Sequence, residues 1–171
     1  GGAAGDPLFV RARVRGQQGD PVPNARVNVW EADAEGLYDV QRKDLGNAQG
    51  RAEFRTDAEG RLAFRGVLPV PYPIPTDGPV GGMLQALGRH PWRAAHGHFM
   101  IEARGYQTLI THVFRDGDPY LDSDAVFGVR NSLVGDFRSH AAGSRAPDGS
   151  APSQAFHTLD FDFVLEPLAG A

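Results

Sequence analysis

Apolar and polar side chains alternate along five segments of the chain. Residues two apart lie on the same face of a β-strand, so such alternation predicts a strand with one buried face. The alternating segments are 8–15, 25–30, 96–103, 108–114 and 157–165. Two further short alternating runs flank the turn residues at 57–60, and this arrangement predicts a β-hairpin.

Helical patterns are scarce, whereas turn-forming residues are abundant, with 22 glycines and 13 prolines. One short helix is predicted over 83–87, where Gly88 ends it. The segment 67–82 is rich in proline, which fixes φ and forbids regular strand pairing, so a rigid irregular loop is expected there. The sequence therefore predicts an all-β fold, an antiparallel β-sandwich with long irregular loops and one short helix, formed by a single domain over residues 1–171.

Composition narrows the possible partners and chemistries. The chain has 171 residues and a net charge of −4, which argues against a nucleic-acid partner and against binding to an anionic membrane. It has no cysteine, which excludes disulfides, thiolate metal sites and cysteine nucleophiles. No apolar run approaches the ~20 residues of a membrane span, so we expect a cytoplasmic protein. The sequence leaves the oligomeric state open.

A histidine pair stands at the start of the strand predicted over 96–103. His96 and His98 are two residues apart, so both imidazoles face one side of the strand, as adjacent nitrogen ligands of a metal ion require. Arg93 is near enough in sequence to bring a fixed positive charge to the same place. Taken alone, the pair favours two half-exposed strand histidines over a metal site.

Elimination leaves a metal site with oxygen and nitrogen ligands as the remaining catalytic hypothesis. The sequence contains no Gly-x-Ser-x-Gly elbow, phosphate-binding loop, dinucleotide fingerprint or His-Glu-x-x-His motif. Tyr72 lies in the proline-rich loop, either as a packing residue at the core edge or as a side chain held in place for chemistry. A phenol with a pKa near ~10 becomes a ligand at neutral pH only when a strongly Lewis-acidic ion displaces its proton, which favours ferric iron.

Two other polar features have simpler interpretations. His112 shares a strand face with Ile110 and Phe114, which is typical of a residue at the core edge. The acidic run at 120–124 lacks the ligand spacing of a calcium-binding loop, and we interpret it as solvated.

Five separated segments resemble the intradiol ring-cleaving dioxygenases. They are EADAEGLYD at 31–39, YPIPTDGP at 72–79, GRHPWRAAHGHF at 88–99, GDPYLDSDAVF at 117–127 and FHTLDFDF at 156–163. Their order and spacing agree with the family, and the resemblance extends over residues 6–167. The chain begins at the first predicted sandwich strand, whereas catechol-cleaving members usually carry an N-terminal helical region before it.

The resemblance implies a β-sandwich that holds non-haem Fe(III) through two tyrosinates and two histidines. The implied ligands are Tyr38, Tyr72, His96 and His98. The implied substrates are O2 and an aromatic diol, whose ring is cleaved between the two hydroxylated carbons to give a cis,cis-muconate-type product. Hydroxyquinol-type members are the most similar, followed by the catechol and chlorocatechol types.

Further roles follow from the same resemblance. Arg93 takes the place of an arginine beside the substrate, where it stabilises developing negative charge, and Tyr72 also takes up a substrate proton. His112 stands where some members carry a glutamine, which implies either a partner of Arg93 or an acid–base group. The implied substrate-pocket residues, in addition to Arg93, are Ile74, Ala125 and Val126.

Two other functions fit parts of the sequence. The segment 19–29 is shared with non-catalytic β-sandwich modules of the transthyretin or carboxypeptidase-regulatory kind, which bind no metal. A zinc or manganese hydrolase would use only His96 and His98. Metal analysis of the purified protein separates the three hypotheses.

Overall fold

The fold is described from a computed structural model that covers residues 5–43 and 45–169. The helix α1 is Pro79–Ala86, and short 3₁₀ turns occupy Asp39–Gln41 and Asn131–Leu133. The strands, numbered β1 to β11 in chain order, are Pro7–Gly16, Arg26–Trp30, Arg51–Arg55, Arg61–Val67, Tyr72–Pro73, Trp92–Arg93, His96–Glu102, Leu109–Arg115, Val134–Gly135, Arg138–His140 and Phe156–Leu165.

Two sheets form a sandwich, as predicted. One sheet has the strand order β10-β11-β1-β4, the other has the order β3-β2-β7-β8-β9, and β5 pairs with β6 in a separate ribbon. The sheets are mixed rather than purely antiparallel, because β1 pairs with β11 and β8 pairs with β9 in parallel. Both pairs join strands that are distant in sequence, so no hairpin turn forces them to run in opposite directions.

The core lies between the two sheets and consists of the apolar residues of the alternating segments. Each such side chain contributes about 1.5–3 kcal/mol when it is fully removed from water. Residues at or below 1 % exposure come from both sheets and include Val14, Val27, Ile101, Val113 and Leu165. The alternation therefore predicted the buried faces of these strands correctly.

The same alternation places polar groups on the outer face of the second sheet. His98 on β7 is paired with Trp30 on β2 and with His112 on β8. The helix α1 begins at Pro79, earlier than predicted, because proline is compatible with the first helical position. Among the described residues no helix has the length and apolarity needed to cross a bilayer.

Candidate active site

His96 and His98 both lie on the outer face of β7. The indole ring of Trp30 stacks on the imidazole of His98, with a centroid distance of 4.8 Å and an interplanar angle of 6°. This contact fixes the plane of the His98 ring. His96 is almost fully buried, at 2 % exposure.

Tyr38 reaches the histidines from the loop that follows β2. The backbone reverses at Gly36, whose φ of +77° lies in the left-handed region that favours glycine. A Cβ at Gly36 would lie 2.8 Å from the Cβ of Tyr72, so glycine also lets the two tyrosine loops approach each other. The carboxylate of Asp33 stabilises the turn by accepting a hydrogen bond from the N–H of Leu37 at 3.0 Å.

The ribbon formed by β5 and β6 holds Tyr72 directly opposite Arg93. Prolines flank Tyr72 on both sides, and their fixed φ angles stiffen this part of the chain. The N–H of Ile74 continues the pairing by donating to the C=O of Pro91 at 3.0 Å. The proline-rich segment thus places Tyr72 beside the strand that leads to His96.

The polar atoms of the four implied ligands form a closed ring of contacts, which we call the four-donor ring. Tyr38 Oη lies 2.8 Å from Tyr72 Oη and 2.9 Å from His98 Nε2. His96 Nε2 closes the ring, at 3.3 Å from Tyr72 Oη and 3.2 Å from His98 Nε2. The fold therefore brings together two phenols and two imidazoles from three separate segments of the chain.

The spacing of the four-donor ring fits a first-row transition-metal ion. Such an ion lies about 2.0–2.1 Å from an imidazole nitrogen, so neighbouring ligands on one ion are about 2.8–3.4 Å apart. The four contacts of the ring span 2.8–3.3 Å. Phenol oxygens in the set select a strongly Lewis-acidic ion, because the phenol protons must be displaced at neutral pH.

Hydrogen bonding and burial set the protonation of the ring. His96 Nδ1 lies 2.6 Å from the C=O of Ala94, so the Nδ1–H donates there and the lone pair of Nε2 faces the ring. Burial lowers the pKa of both His96 and His98 to about 3, so both imidazoles are neutral at pH 7. Burial raises the pKa of Tyr38, and its hydrogen bond to Tyr72 raises this pKa further.

Arg93 is a cation buried beside the ring, at 6 % exposure. Its Nη1 lies 3.3 Å from His96 Nε2, and its Nε donates to the carboxylate of Asp124 at 3.0 Å. The same carboxylate accepts hydrogen bonds from the N–H groups of Ala94 and Gly128. Nη2 of Arg93 is buried and has no hydrogen-bond partner within the described ranges. Arg93 therefore presents Nη1 to the four-donor ring, while Nη2 is enclosed by protein.

Sequence reasoning missed Asp124. The interpretation of 120–124 as solvated is wrong at this residue, which is 3 % exposed, although Asp122 in the same run is exposed. Burial alone would raise the pKa of Asp124, but the hydrogen bonds from Gly128 and Arg93 outweigh burial and lower it. No periodic pattern in the sequence marks Asp124 as buried, because it lies in an irregular loop. Its partner Arg93 is 31 positions upstream, so the ion pair is not a local contact.

The three implied pocket residues lie on segments that flank β6. The N–H of Ala125 donates to the C=O of Trp92 at 3.0 Å, while Ile74 directly follows β5 and donates to the C=O of Pro91. Ala125 is buried and Val126 is exposed. The structure thus places all three near the Arg93 segment, and their contact with a substrate stays a prediction.

His112 lies next to both ring histidines without being part of the four-donor ring. Its imidazole centroid is 5.0 Å from that of His96 and 4.5 Å from that of His98. One nitrogen of each of the three histidines lies within 4.8 Å of the others, which makes a three-histidine metal site an alternative. Burial lowers the pKa of His112, and the charge of Arg93 lowers it further.

Comparison with known proteins identifies the family. A sequence profile of the family described as Dioxygenase matches residues 1–167. The chain is 55 % identical to the 6-chlorohydroxyquinol 1,2-dioxygenase of Cupriavidus pinatubonensis over 166 residues, which are 97 % of this chain and 56 % of that protein. It is 51 % identical to the hydroxyquinol 1,2-dioxygenase of Corynebacterium glutamicum, over 99 % of this chain and 56 % of that protein. The chain thus spans little more than half the length of these relatives.

Solved structures share the fold. Hydroxyquinol 1,2-dioxygenase from Pseudomonas putida DLL-E4 matches with a TM-score of 0.88 and 43 % identity, over 97 % of this chain and 58 % of that one. Catechol 1,2-dioxygenase from Pseudomonas arvilla C-1 matches with a TM-score of 0.91 and 33 % identity, over 99 % of this chain and 55 % of that one. These matches agree with the resemblance of the five sequence segments, and the chain belongs to the intradiol ring-cleaving dioxygenase family.

Proposed function

We propose that residues 1–171 form the catalytic domain of a cytoplasmic, non-haem Fe(III)-dependent intradiol dioxygenase. Its substrates are O2 and a catechol-type aromatic diol, and its product is of the cis,cis-muconate type. The four-donor ring carries this proposal, because two phenols and two imidazoles converge at ligand-to-ligand distances of 2.8–3.3 Å. The hydroxyquinol-cleaving relatives favour hydroxyquinol over catechol as the diol.

In this proposal Tyr38, Tyr72, His96 and His98 hold the iron. Bound Fe(III) supplies Lewis-acid activation of the diol for its reaction with O2. The two imidazoles offer lone pairs at Nε2 without first losing a proton, because burial keeps their pKa near 3. Stacking on Trp30 holds the His98 ring in place, and the hydrogen bond to Ala94 holds the His96 ring.

Tyr72 and Arg93 act on the substrate. The phenolate oxygen of Tyr72 accepts a proton from a diol hydroxyl, since it lies on the half-buried ribbon at the edge of the four-donor ring. Arg93 stabilises negative charge on the substrate through Nη1, which lies at the four-donor ring, 3.3 Å from His96 Nε2. A fixed donor in a water-poor site contributes strongly to catalysis.

Iron loading and product identification test the proposal. Protein loaded with Fe(III) should be burgundy, from charge transfer between tyrosinate and iron. Anaerobic addition of hydroxyquinol or catechol should shift the visible band, and admission of O2 should give a ring-opened product by mass spectrometry. Protein that binds stoichiometric iron and stays colourless contradicts the proposal.

Tyrosine variants show which phenols produce the band. Tyr38→Phe and Tyr72→Phe should each weaken it, because each removes one tyrosinate. Tyr106→Phe is the matched control, since Tyr106 hydrogen-bonds to Asp20 outside the four-donor ring. A band that survives the first two substitutions and disappears with the third would refute the ligand assignment.

A zinc or manganese site on three histidines is the second candidate, favoured by the position of His112. It predicts that His112→Ala abolishes metal binding and that Tyr38→Phe leaves it unchanged. The iron proposal predicts that Tyr38→Phe weakens metal binding and that His112→Ala leaves it unchanged. Metal analysis of the two variants decides between them, and a wild-type protein that binds no metal would favour the non-catalytic sandwich module.

A further inference from the structure

We infer that Asp124 is a positioning residue, which holds the guanidinium of Arg93 through Nε so that Nη1 faces the four-donor ring. The inference rests on the proposed function, in which Arg93 meets the negative charge of a bound diol. Asp124 acts through Arg93 and is assigned no contact with the substrate.

The carboxylate of Asp124 accepts three hydrogen bonds and joins its own loop to the segment 93–94. One oxygen accepts hydrogen bonds from Arg93 Nε at 3.0 Å and from the N–H of Ala94 at 3.1 Å. The other oxygen accepts from the N–H of Gly128 at 2.8 Å. The side chain of Asp124 is 1 % exposed and that of Arg93 is 7 % exposed, so water does not compete for these bonds. The guanidinium is planar, so a fixed Nε also fixes the directions of Nη1 and Nη2.

The mode of pairing supports positioning rather than charge neutralisation alone. Arginine–carboxylate pairs are frequently bidentate and then engage two nitrogens of the guanidinium. Here Asp124 accepts from Nε alone among the three nitrogens of Arg93. Nη1 points to His96 Nε2 at 3.3 Å, and Nη2 is buried without a partner in the described part of the chain. When His96 Nε2 is used as a ligand, Nη1 becomes available to an anion.

Gly128 leaves the space that this orientation needs. A Cβ at Gly128 would lie 3.0 Å from Arg93 Nη2 and 3.3 Å from the Asp124 carboxylate. Both distances are tighter than ordinary contacts, so a larger residue would displace the guanidinium or its partner. The absence of a side chain at Gly128 therefore leaves room for Nη2 when the guanidinium has this orientation.

The loop that carries Asp124 has other attachments. Arg89 donates to the C=O of Asp124 at 3.0 Å and to the C=O of Ala125 at 3.2 Å. Asp118 accepts a hydrogen bond from the N–H of Ala95 at 3.1 Å. These contacts do not use the carboxylate of Asp124, so a substitution there should leave the loop in place while it frees Arg93.

A double-mutant cycle tests the inference on the iron-loaded chain. The variants are Asp124→Asn, Arg93→Ala and the double substitution, and the control is Asp122→Asn, an exposed aspartate in the same loop. Asparagine keeps the size of the side chain, but its NH2 group cannot accept a hydrogen bond. We expect Asp124→Asn to lower kcat/KM for hydroxyquinol by about 10- to 100-fold in the wild-type background. In the Arg93→Ala background the same change should cost less than about twofold.

A second readout does not depend on turnover. In ¹⁵N-arginine-labelled protein, the Nε–H signal of Arg93 is identified by its loss in Arg93→Ala. Because Asp124 shields this proton, Asp124→Asn should speed its exchange with water by about tenfold or more, and Asp122→Asn should not. Circular dichroism and a melting curve establish that each variant is folded.

The outcomes are distinct. An equal loss of kcat/KM in both backgrounds, or an unchanged Arg93 Nε–H signal in Asp124→Asn, overturns the positioning role. A wild-type protein that cleaves no diol overturns the proposed function instead, and the Arg93 signal then still decides whether Asp124 orients the guanidinium.

Discussion

Two buried carboxylates of this domain lie in opposite electrostatic surroundings. Asp124 is 3 % exposed, pairs with Arg93 and has a lowered pKa. Glu31, the residue that directly follows β2, is 9 % exposed and accepts a hydrogen bond from the N–H of Val67 at 2.9 Å. Burial raises the pKa of Glu31 to about 7. Both carboxylates are buried, so the difference comes from the hydrogen bonds that Asp124 accepts from Gly128 and Arg93 and from the charge of Arg93, whereas Glu31 accepts one hydrogen bond and has no such cation among the residues that the structure describes.

The two carboxylates make the stability of the fold depend on pH in opposite directions. Stability falls with increasing pH wherever the folded state binds more protons than the unfolded state, and rises where it binds fewer. The lowered pKa of Asp124 contributes stability that is present above its unfolded value of about 3.9 and is lost as pH falls through the folded pKa. The raised pKa of Glu31 contributes stability that is present below about 4.3 and is lost as pH rises through about 7.

Removal of Asp124 should have the largest effect on stability. Asp124→Ala leaves the Arg93 guanidinium buried without its counter-charge, and breaking a buried ion pair in this way costs about 3–5 kcal/mol. The free energy of unfolding at pH 7, from urea titration, should fall by that amount. Asp122→Ala, on the exposed part of the same loop, should change it by less than about 0.5 kcal/mol. If both substitutions lowered the free energy of unfolding equally, the buried ion pair of Asp124 would not contribute to stability.

Neutralisation of Glu31 should have the next largest effect, and only at high pH. Glu31→Gln preserves an oxygen for the Val67 N–H but never ionises, so it avoids the cost of a buried carboxylate. A pKa raised from about 4.3 to about 7 corresponds to roughly 3–4 kcal/mol. The variant should gain up to about 3 kcal/mol over wild type at pH 8 and almost nothing at pH 4. A gain that is the same at both pH values would show that Glu31 is not the titrating group.

The alternation of apolar residues predicted the sandwich because each strand buries one face. It did not predict that β1 runs parallel to β11, since alternation reports which face of a strand is buried and not which strand lies beside it. The helix begins at Pro79 and not at residue 83, because the missing N–H of a proline costs no hydrogen bond in the first helical turn.

The candidate site was predictable to different degrees. Spacing alone placed His96 and His98 on one face, but only the family resemblance brought Tyr38 and Tyr72 to the same point. Asp124 could not be found from the sequence, because its burial depends on the path of an irregular loop across β6. Local patterns thus report strand faces well and report contacts between loops poorly.

A methyl group at Gly128 should have a smaller effect on the Asp124 region. Gly128→Ala forces its Cβ against Arg93 Nη2 and the Asp124 carboxylate, and overpacking of this kind costs about 1–3 kcal/mol. Gly82→Ala is the control, because its Cβ meets nothing within 4 Å on the exposed side of α1. That change should stabilise the protein by about 0.5–1 kcal/mol. Melting curves that shift in the same direction for both variants would contradict the crowding at Gly128.

The smallest effect is expected at an ion pair that has good geometry without burial. Arg11 donates to both oxygens of Asp160, at 2.7 and 2.6 Å, but their side chains are 57 % and 56 % exposed. Exposed pairs contribute about 0–1 kcal/mol and weaken as salt screens them, so Asp160→Asn should lower the free energy of unfolding by less than about 1 kcal/mol, and by less still at high salt. Arg11 and Asp160 share two direct hydrogen bonds, whereas Arg93 and Asp124 share one. The number of hydrogen bonds alone would therefore predict a larger loss of stability at Asp160. If urea titration finds that Asp160→Asn costs as much as Asp124→Ala, burial does not govern the strength of these ion pairs. The contrast between Asp124 and Glu31 would then rest on the backbone hydrogen bonds of Asp124 and not on its buried ion pair.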